Sequence, residues 1–283
     1  MKLPVPVVKA VVRGLVKPVL GPPVPLVVQR AYLQALSAPL LPAGTTVERT
    51  VLGGRPAERV TGADTDGRGS VLLLHGGAFI TGSPRSHRVV AAHLAAAASV
   101  PVHVLDYRLS PEHPYPAPVD DAIAAYDQLA ADGPVAVFGD SAGGCLALLL
   151  ARTRTPVALA LVSPLTDLTR GLSGAWTGED ILVRTSWARE GCEAFAGGAD
   201  LHSLSPRFDD LSGLPPTLVH VSEHERLRPE GEELVALARE AGVDVELVEL
   251  PGLWHDVHLF AHLLDEAAQA TASIGRWLGA RLR

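Results

Sequence analysis

The chain is poor in cysteine, in lysine and in aromatic residues. Its 283 residues include only two cysteines, Cys145 and Cys192, which argues against a disulfide framework and is compatible with a cytoplasmic location. Aromatic side chains make up 5% of the residues, so we expect an aliphatic core of alanine, valine and leucine. The net charge of −7, with no clustered basic face, argues against a nucleic-acid partner.

The few lysines are confined to one segment. Lys2, Lys9 and Lys17 lie within the first 17 residues, together with Arg13. These charges interrupt the apolar run every four residues, so we expect no stable insertion into a bilayer and no cleaved signal peptide. Apolar pairs (7/8, 11/12, 15/16) repeat at the same spacing and predict an amphipathic helix that packs on the domain. A surface membrane anchor is the alternative.

Short apolar segments alternate with helix-forming segments along most of the chain. A strand pair is expected at 46–51 and 55–60, and a helix at 120–131. Further strands are expected at 71–74, 102–107, 135–138, 157–162, 217–221 and 243–250. This alternation is typical of a mostly parallel sheet covered by helices on both faces. Residues 166–205 lack a strand pattern, and internal repeats are absent.

The most informative segment is 139–144, which reads Gly-Asp-Ser-Ala-Gly-Gly. It lies between an apolar run at 135–138 and a helix-forming run at 146–150, which predicts a strand, a sharp turn and a helix. Small flanking residues allow such a turn to present Ser141 at its apex. A serine in this position is a candidate nucleophile for acyl transfer through a covalent intermediate.

This turn is a weak signal by itself, so the other parts of a site must be found separately. A serine hydroxyl needs a base and the base needs an orienting acid, in the chain order serine, acid, histidine. His255 follows the last predicted strand, and Ser222-Glu223-His224-Glu225 follows the strand before it. The glycine-rich run after the 71–74 strand and the N–H of Ala142 offer donors for an oxyanion hole.

Several motifs in the same order resemble the hormone-sensitive-lipase-like branch of the α/β-hydrolases, which are bacterial carboxylesterases. The resemblance covers nearly all of the chain beyond residue 45. The motifs are His-Gly-Gly-Ala-Phe (75–79), Asp-Tyr-Arg-Leu-Ser-Pro-Glu-His-Pro (106–114), Gly-Asp-Ser-Ala-Gly-Gly (139–144), Ser-Pro-Leu-Thr-Asp-Leu-Thr (163–169), Leu-Ser-Gly-Leu-Pro-Pro (211–216) and Pro-Gly-Leu-Trp-His (251–255).

The resemblance implies an α/β-hydrolase fold with a helical cap. Residues 46–165 and 206–283 would form the catalytic core, and 1–45 and 166–205 the two cap segments. The implied roles are Ser141 as nucleophile, His255 as base and Glu225 as acid. Gly77, Ala78 and Ala142 would supply the oxyanion-hole N–H groups, and Gly76 would shape that loop.

Two residues depart from the family pattern. Ala78 stands where a third glycine is usual, which keeps the N–H but adds a methyl group that narrows the site. Glu225 stands where an aspartate is usual, so its longer side chain must fold back or its loop must shift. Glu223 and Asp256 remain alternative acids, because any carboxylate that fixes the imidazole tautomer would serve.

The function predicted from these residues is hydrolysis of short-chain carboxylic esters without a cofactor. A lactonase, an amidase or a hydrolase of one specialised metabolite would use the same triad, and a ligand receptor on this scaffold typically lacks the histidine. His255, His258 and His262 have no accompanying acidic ligand pattern, so no metal site is expected. Trp176, Leu182, Trp187 and Phe195 either line the acyl pocket or pack the cap. A homodimer is also expected from the family.

Overall fold

The computed structural model describes residues 2–37, 40–65, 69–173, 176 and 178–283. One eight-stranded sheet runs through the molecule in the order β1-β2-β4-β3-β5-β6-β7-β8. The strands are β1 (Thr46–Leu52), β2 (Arg55–Thr61), β3 (Ser70–Leu74), β4 (Val102–Leu105), β5 (Val135–Asp140), β6 (Leu159–Val162), β7 (Thr217–His224) and β8 (Val245–Trp254). Pairing is parallel from β4 to β8, and β2 is antiparallel to both of its neighbours. The mostly parallel sheet expected from the sequence is confirmed.

Helices cover both faces of this sheet. The helices are α1 (Val5–Val11), α2 (Leu26–Leu36), α3 (Pro84–Ala98), α4 (Ala117–Ala130), α5 (Ala142–Ala151), α6 (Arg170–Ser173), α7 (Thr185–Ala196), α8 (Arg228–Glu240) and α9 (Asp265–Arg281). Along β3, Leu72 and Leu74 join the apolar cluster of α4, α5 and α8, whereas Val71 and Leu73 join that of α3 and α9. Successive side chains of a strand point to opposite faces, so this one short strand contributes to both layers of the core.

The amphipathic helix expected near the N-terminus is shorter than its pattern suggested. It is α-helical only as α1 and then widens into a π-type turn at Val12–Val16. Val8 and Val12 are buried, but Val7 and Val11 are 48% and 46% exposed, so one member of each apolar pair contacts the domain. Within the described residues no helix is both long enough and apolar enough to cross a membrane.

The two expected cap segments contact each other and the core. Lys17 donates to the carbonyl oxygen of Asp180, which joins residues 1–45 to residues 166–205. In α2, Arg30 pairs with Glu112 at 2.7 Å and donates to the Ile80 carbonyl oxygen at 2.7 Å. Residues 1, 38–39, 174–175 and 177 of these segments lie outside the described residues.

The last strand is longer than its sequence pattern suggested. Pro251 and Gly252 were expected to end it, but β8 continues through them to Trp254, with a bulge opposite Ser222–His224. Since β8 lies at the edge of the sheet, a proline there removes no required ladder bond. The strand therefore delivers the chain directly to His255, the next residue. A smaller difference occurs in β4, which ends at Leu105 rather than at 107.

Candidate active site

Ser141 lies at the sharp turn between β5 and α5. Its backbone has φ 53° and ψ −118°, and the helix begins at the next residue. At this turn α5 packs closely on the end of β3. A Cβ on Gly143 would overlap the carbonyl oxygen of Leu74, so glycine is required there. A positive φ is costly for a non-glycine residue and is found at functional turns. The predicted strand, turn and helix around this serine are therefore present.

Three side chains from the ends of different strands meet at this turn. The Nε2 of His255 lies 2.9 Å from Ser141 Oγ, and its Nδ1 lies 3.1 Å from Glu225 Oε2. Ser141 follows β5, Glu225 follows β7 and His255 follows β8, and the carboxyl ends of these parallel strands share one edge of the sheet. His255 is 1% exposed, so its hydrogen bonds form in a site largely shielded from water.

The longer side chain of Glu225 reaches the histidine by folding back on its own strand. Its Oε1 accepts a hydrogen bond of 2.8 Å from the backbone N–H of Ser222, three residues earlier. Glu223, one of the alternative acids, is exposed and accepts from the Gly252 N–H at 2.6 Å instead. Of the carboxylates considered from the sequence, Glu225 is the one in contact with Nδ1.

Asp256, the other alternative acid, approaches the opposite side of the imidazole. Its Oδ2 lies 3.2 Å from Nε2 of His255, the nitrogen that also faces the serine. Burial raises the pKa of Asp256 to about 6. Burial alone would lower the pKa of His255, but the carboxylates of Asp256 and Glu225 offset this and hold that pKa well above its ordinary value. The histidine thus has a carboxylate beside each ring nitrogen.

The loop after β3 carries the candidate oxyanion-hole residues. Gly77 and Ala78 both have positive φ, 120° and 53°. Within the described residues, no protein group accepts a hydrogen bond from the N–H of Gly77, Ala78 or Ala142. Ala142 is the first residue of α5, where the helix dipole favours negative charge. These donors are available to a substrate oxygen, and the methyl of Ala78 lines a cavity beside Ser141.

Asp140 and His87, which the sequence analysis did not identify, fix the start of this loop by hydrogen bonds. Asp140 Oδ2 accepts from the backbone N–H of Gly76 and lies within hydrogen-bond distance of His87 Nε2, both at 3.0 Å. Burial opposes the charge of His87, but the carboxylate of Asp140 raises its pKa overall. Asp140 could have been suspected from its place beside the serine. His87 gives no signal, because it reaches the site only through the packing of α3.

His75, at the start of the same loop, packs against Tyr107. Its ring stacks on Tyr107 with centroids 4.2 Å apart, and the Tyr107 hydroxyl donates to the His75 carbonyl oxygen at 2.7 Å. Burial lowers the pKa of His75 to about 3, so the ring is neutral. A neutral, fully buried histidine fits a structural position better than an acid–base one.

Two cavities open on either side of Ser141. The larger, of about 160 Å³, is bounded by the first cap segment, by the oxyanion loop and by His255 and Asp256. The smaller, of about 20 Å³, is bounded mainly by residues that follow β6 and β7 and by the second cap segment. Trp187 borders both. The nucleophile therefore lies at the junction of two spaces of different size.

The cap residues singled out from the sequence divide between two roles. Trp176, Leu182 and Trp187 border the cavities. Phe195 instead stacks on Phe79 with ring centroids 4.0 Å apart and is fully buried. The two readings left open for these residues, pocket lining and cap packing, therefore each apply to part of the set.

The remaining histidines near the site do not gather around a common centre. His258 is buried and lies 3.3 Å from His220, between Nε2 and Nδ1. Across the described parts of the chain, no group of three histidine, cysteine, aspartate or glutamate side chains could hold a metal ion. Among the described residues, the polar partners of the His255 ring nitrogens are Ser141, Glu225 and Asp256.

Comparison with known proteins agrees with this fold. The model of the α/β-hydrolase fold family matches residues 71–259. An acetyl-hydrolase of Streptomyces hygroscopicus is 38% identical over 241 residues, covering 80% of each chain. An esterase of Acinetobacter venetianus is 34% identical over 223 residues, covering 73% of each chain.

Solved structures of similar proteins superpose on the whole length of this chain. A hormone-sensitive lipase from a metagenome library superposes with a TM-score of 0.91 and 33% identity, covering all of both chains. An esterase from the bacterial hormone-sensitive lipase family superposes with a TM-score of 0.88 and 32% identity, again over both whole chains. The chain belongs to the α/β-hydrolase family and, within it, to the hormone-sensitive-lipase-like esterases.

Proposed function

We propose that the protein hydrolyses short-chain carboxylic esters through an acyl-enzyme on Ser141. The observation that carries this proposal is the chain of contacts from Ser141 Oγ to His255 Nε2 at 2.9 Å and from His255 Nδ1 to Glu225 Oε2 at 3.1 Å. These three side chains supply a nucleophile, a base and an orienting acid, in that order. The acetyl-hydrolase and esterase names of its relatives support an ester with a small acyl group.

In the first half of the reaction, Ser141 Oγ attacks the ester carbonyl carbon while His255 Nε2 takes its proton. The carbonyl oxygen becomes negative and accepts hydrogen bonds from the N–H groups of Gly77, Ala78 and Ala142. The bond from the carbonyl carbon to the alcohol oxygen then breaks, and His255 returns the proton to that oxygen. The alcohol leaves, and the acyl group remains on Ser141.

In the second half, water takes the place of the alcohol. His255 removes a proton from the water as it attacks the acyl carbon, and the bond to Ser141 Oγ breaks. The serine recovers the proton, and the carboxylic acid leaves. Glu225 keeps the proton on Nδ1 throughout and stabilises the imidazolium. We propose that residues 1–45 and 166–205 act as caps over this site.

The test is hydrolysis of p-nitrophenyl esters of increasing acyl length by the intact protein and by Ser141→Ala. We expect turnover that is greatest for short acyl groups and that falls by at least about 10³-fold in the variant, because the covalent route is lost. Ser163→Ala is the matched control: Ser163 is a buried serine that, like Ser141, has a positive φ, here 46°. Equal activity of Ser141→Ala and Ser163→Ala would contradict the proposal.

A further inference from the structure

The two cavities beside Ser141 have different relations to the histidine. The larger includes His255 and Asp256 in its wall, whereas the smaller includes neither. Of the described residues, Ser141 and Trp187 line both cavities. A substrate carbonyl carbon bonded to Ser141 therefore has one substituent directed to the histidine side and another directed away from it.

The chemistry of the proposed reaction decides which substituent occupies which side. The leaving oxygen must receive a proton from Nε2 of His255, so it must lie within hydrogen-bond reach of that nitrogen. The alcohol part of the ester accordingly enters the larger cavity. The acyl chain, which exchanges no proton, enters the smaller cavity.

The smaller cavity, which receives the acyl chain, is tightly bounded. Its volume of about 20 Å³ is only slightly more than the space needed by one water-sized probe. The methyl of Ala78 and the side chains of Leu165 and Val183 form part of its wall. Trp176 is held in this wall because its Nε1 donates to the buried carboxylate of Glu230 at 2.6 Å. This cavity accommodates little more than the methyl of an acetyl group, and a longer acyl chain would have to displace its walls.

The larger cavity, which receives the alcohol, is mostly apolar away from the serine. Its volume is about 160 Å³. Val16, Leu20 and Leu33 from the first cap segment and Leu259 and Phe260 beyond β8 form much of its wall. The hydrogen-bonded pair of Asp140 and His87 lies next to the nucleophile. An alkyl or aryl alcohol would bury apolar surface there.

We propose that the substrates are small-acyl esters, chiefly acetates, of large apolar alcohols, with the alcohol in the larger cavity. This inference rests on the proposed serine esterase function. It extends that function by assigning an orientation to the ester. It also predicts that the length of the alcohol is tolerated and the length of the acyl chain is not.

A pair of isomeric esters tests the orientation directly. Octyl acetate and ethyl octanoate have the same formula, but the long chain is on the alcohol in one and on the acyl group in the other. We expect kcat/KM for octyl acetate to exceed that for ethyl octanoate by about 100-fold or more, since a pocket one methylene too small already costs about 10-fold. Release of acid can be followed by titration at constant pH.

A variant of the smaller cavity and a control outside both cavities refine the test. Val183→Ala enlarges the small cavity and should raise kcat/KM for ethyl octanoate relative to octyl acetate by about 10-fold. Val51→Ala, the same change at a 59% exposed valine of β1 outside the described lining of both cavities, should leave that ratio unaltered. Ala78→Gly removes a methyl from a residue that lines the smaller cavity, and the φ of 53° at this position suits glycine. It replaces Val183→Ala in the test if that variant fails to fold.

The outcomes separate the orientation from the underlying function. Equal rates for the two isomers, a preference for ethyl octanoate, or hydrolysis of p-nitrophenyl acetate but of neither isomer would overturn the assigned orientation while the esterase function stood. Failure to hydrolyse p-nitrophenyl acetate as well would overturn the proposed function itself. A strong preference for octyl acetate that Val183→Ala weakens and Val51→Ala leaves unchanged would support the proposal.

Discussion

Glu225 reaches His255 in spite of its extra methylene because its carboxylate turns back to the Ser222 N–H. Replacing it by glutamine keeps the size of the side chain but removes the charge that stabilises the imidazolium. We expect Glu225→Gln to lower kcat by about 10²- to 10⁴-fold with the fold intact. Steady-state kinetics on p-nitrophenyl acetate measures the effect.

The matched control for this substitution is two residues away. Glu223→Gln changes a surface carboxylate that bonds to the Gly252 N–H, not to the histidine, so kcat should stay near that of the unmodified protein. A near-normal rate for Glu225→Gln, or a large loss for Glu223→Gln, would assign the acid elsewhere.

Asp256 gives the site a distinctive pH dependence. His255 must be neutral to accept the serine proton, so activity falls as the pH decreases through its pKa. The Asp256 carboxylate, 3.2 Å from Nε2, raises that pKa. Asp256→Asn removes this charge, and asparagine tolerates the left-handed φ of 52°. The acid limb of kcat/KM should therefore move to lower pH.

The comparison for this prediction is an exposed aspartate far from the site. Asp244, with a side chain 71% exposed, should leave the pH profile unchanged when replaced by asparagine. An acid limb that stays in place in Asp256→Asn would mean that this carboxylate does not interact with the catalytic imidazole in solution.

Residues within short motifs were predictable, and residues joined by packing were not. Ser141 and His255 could be identified because each directly follows a readable apolar strand. The choice of Glu225 over Glu223 and Asp256 needed the structure, since it depends on how one side chain folds back. The Asp140–His87 contact links β5 to α3 across 53 positions, and no local pattern predicts it.

At the scale of the elements, the eight strands that the structure describes were all predicted, and the differences lie at their ends. Fully buried strands such as β3 and β5 are continuous apolar runs, which is the pattern of a parallel strand covered on both faces. β8 was predicted to stop at Pro251 because proline normally interrupts pairing. Its place at the sheet edge removes that constraint, and edge position is a property of the topology rather than of the segment.

The cap elements were predictable in outline only. The four-residue spacing of charges identified a helix in the N-terminal segment, but not the π-type turn at Val12–Val16 or which valine of each pair is buried. Those details depend on contacts with the second cap segment, such as that of Lys17 with Asp180. Residues whose partners lie more than a hundred positions away cannot be assigned from local periodicity.

At the scale of the whole molecule, the carboxyl edge of the sheet brings the residues after β3, β5, β7 and β8 into one place. The space on one side of Ser141 is narrow and the space on the other is wide, and residues of 1–45 and 166–205 line much of both. We propose that the topology of the sheet sets the chemistry, and that these two segments act as caps that set the choice of substrate.

The most direct test of this account is to look for the acyl group on Ser141. The protein is mixed with p-nitrophenyl acetate, quenched in acid and digested, and its peptides are analysed by mass spectrometry. The account predicts one acetyl group on the peptide containing Ser141, and none on that peptide in Ser141→Ala. Continued turnover with no acetylation of Ser141, or acetylation of a different residue that turns over at the catalytic rate, would contradict it.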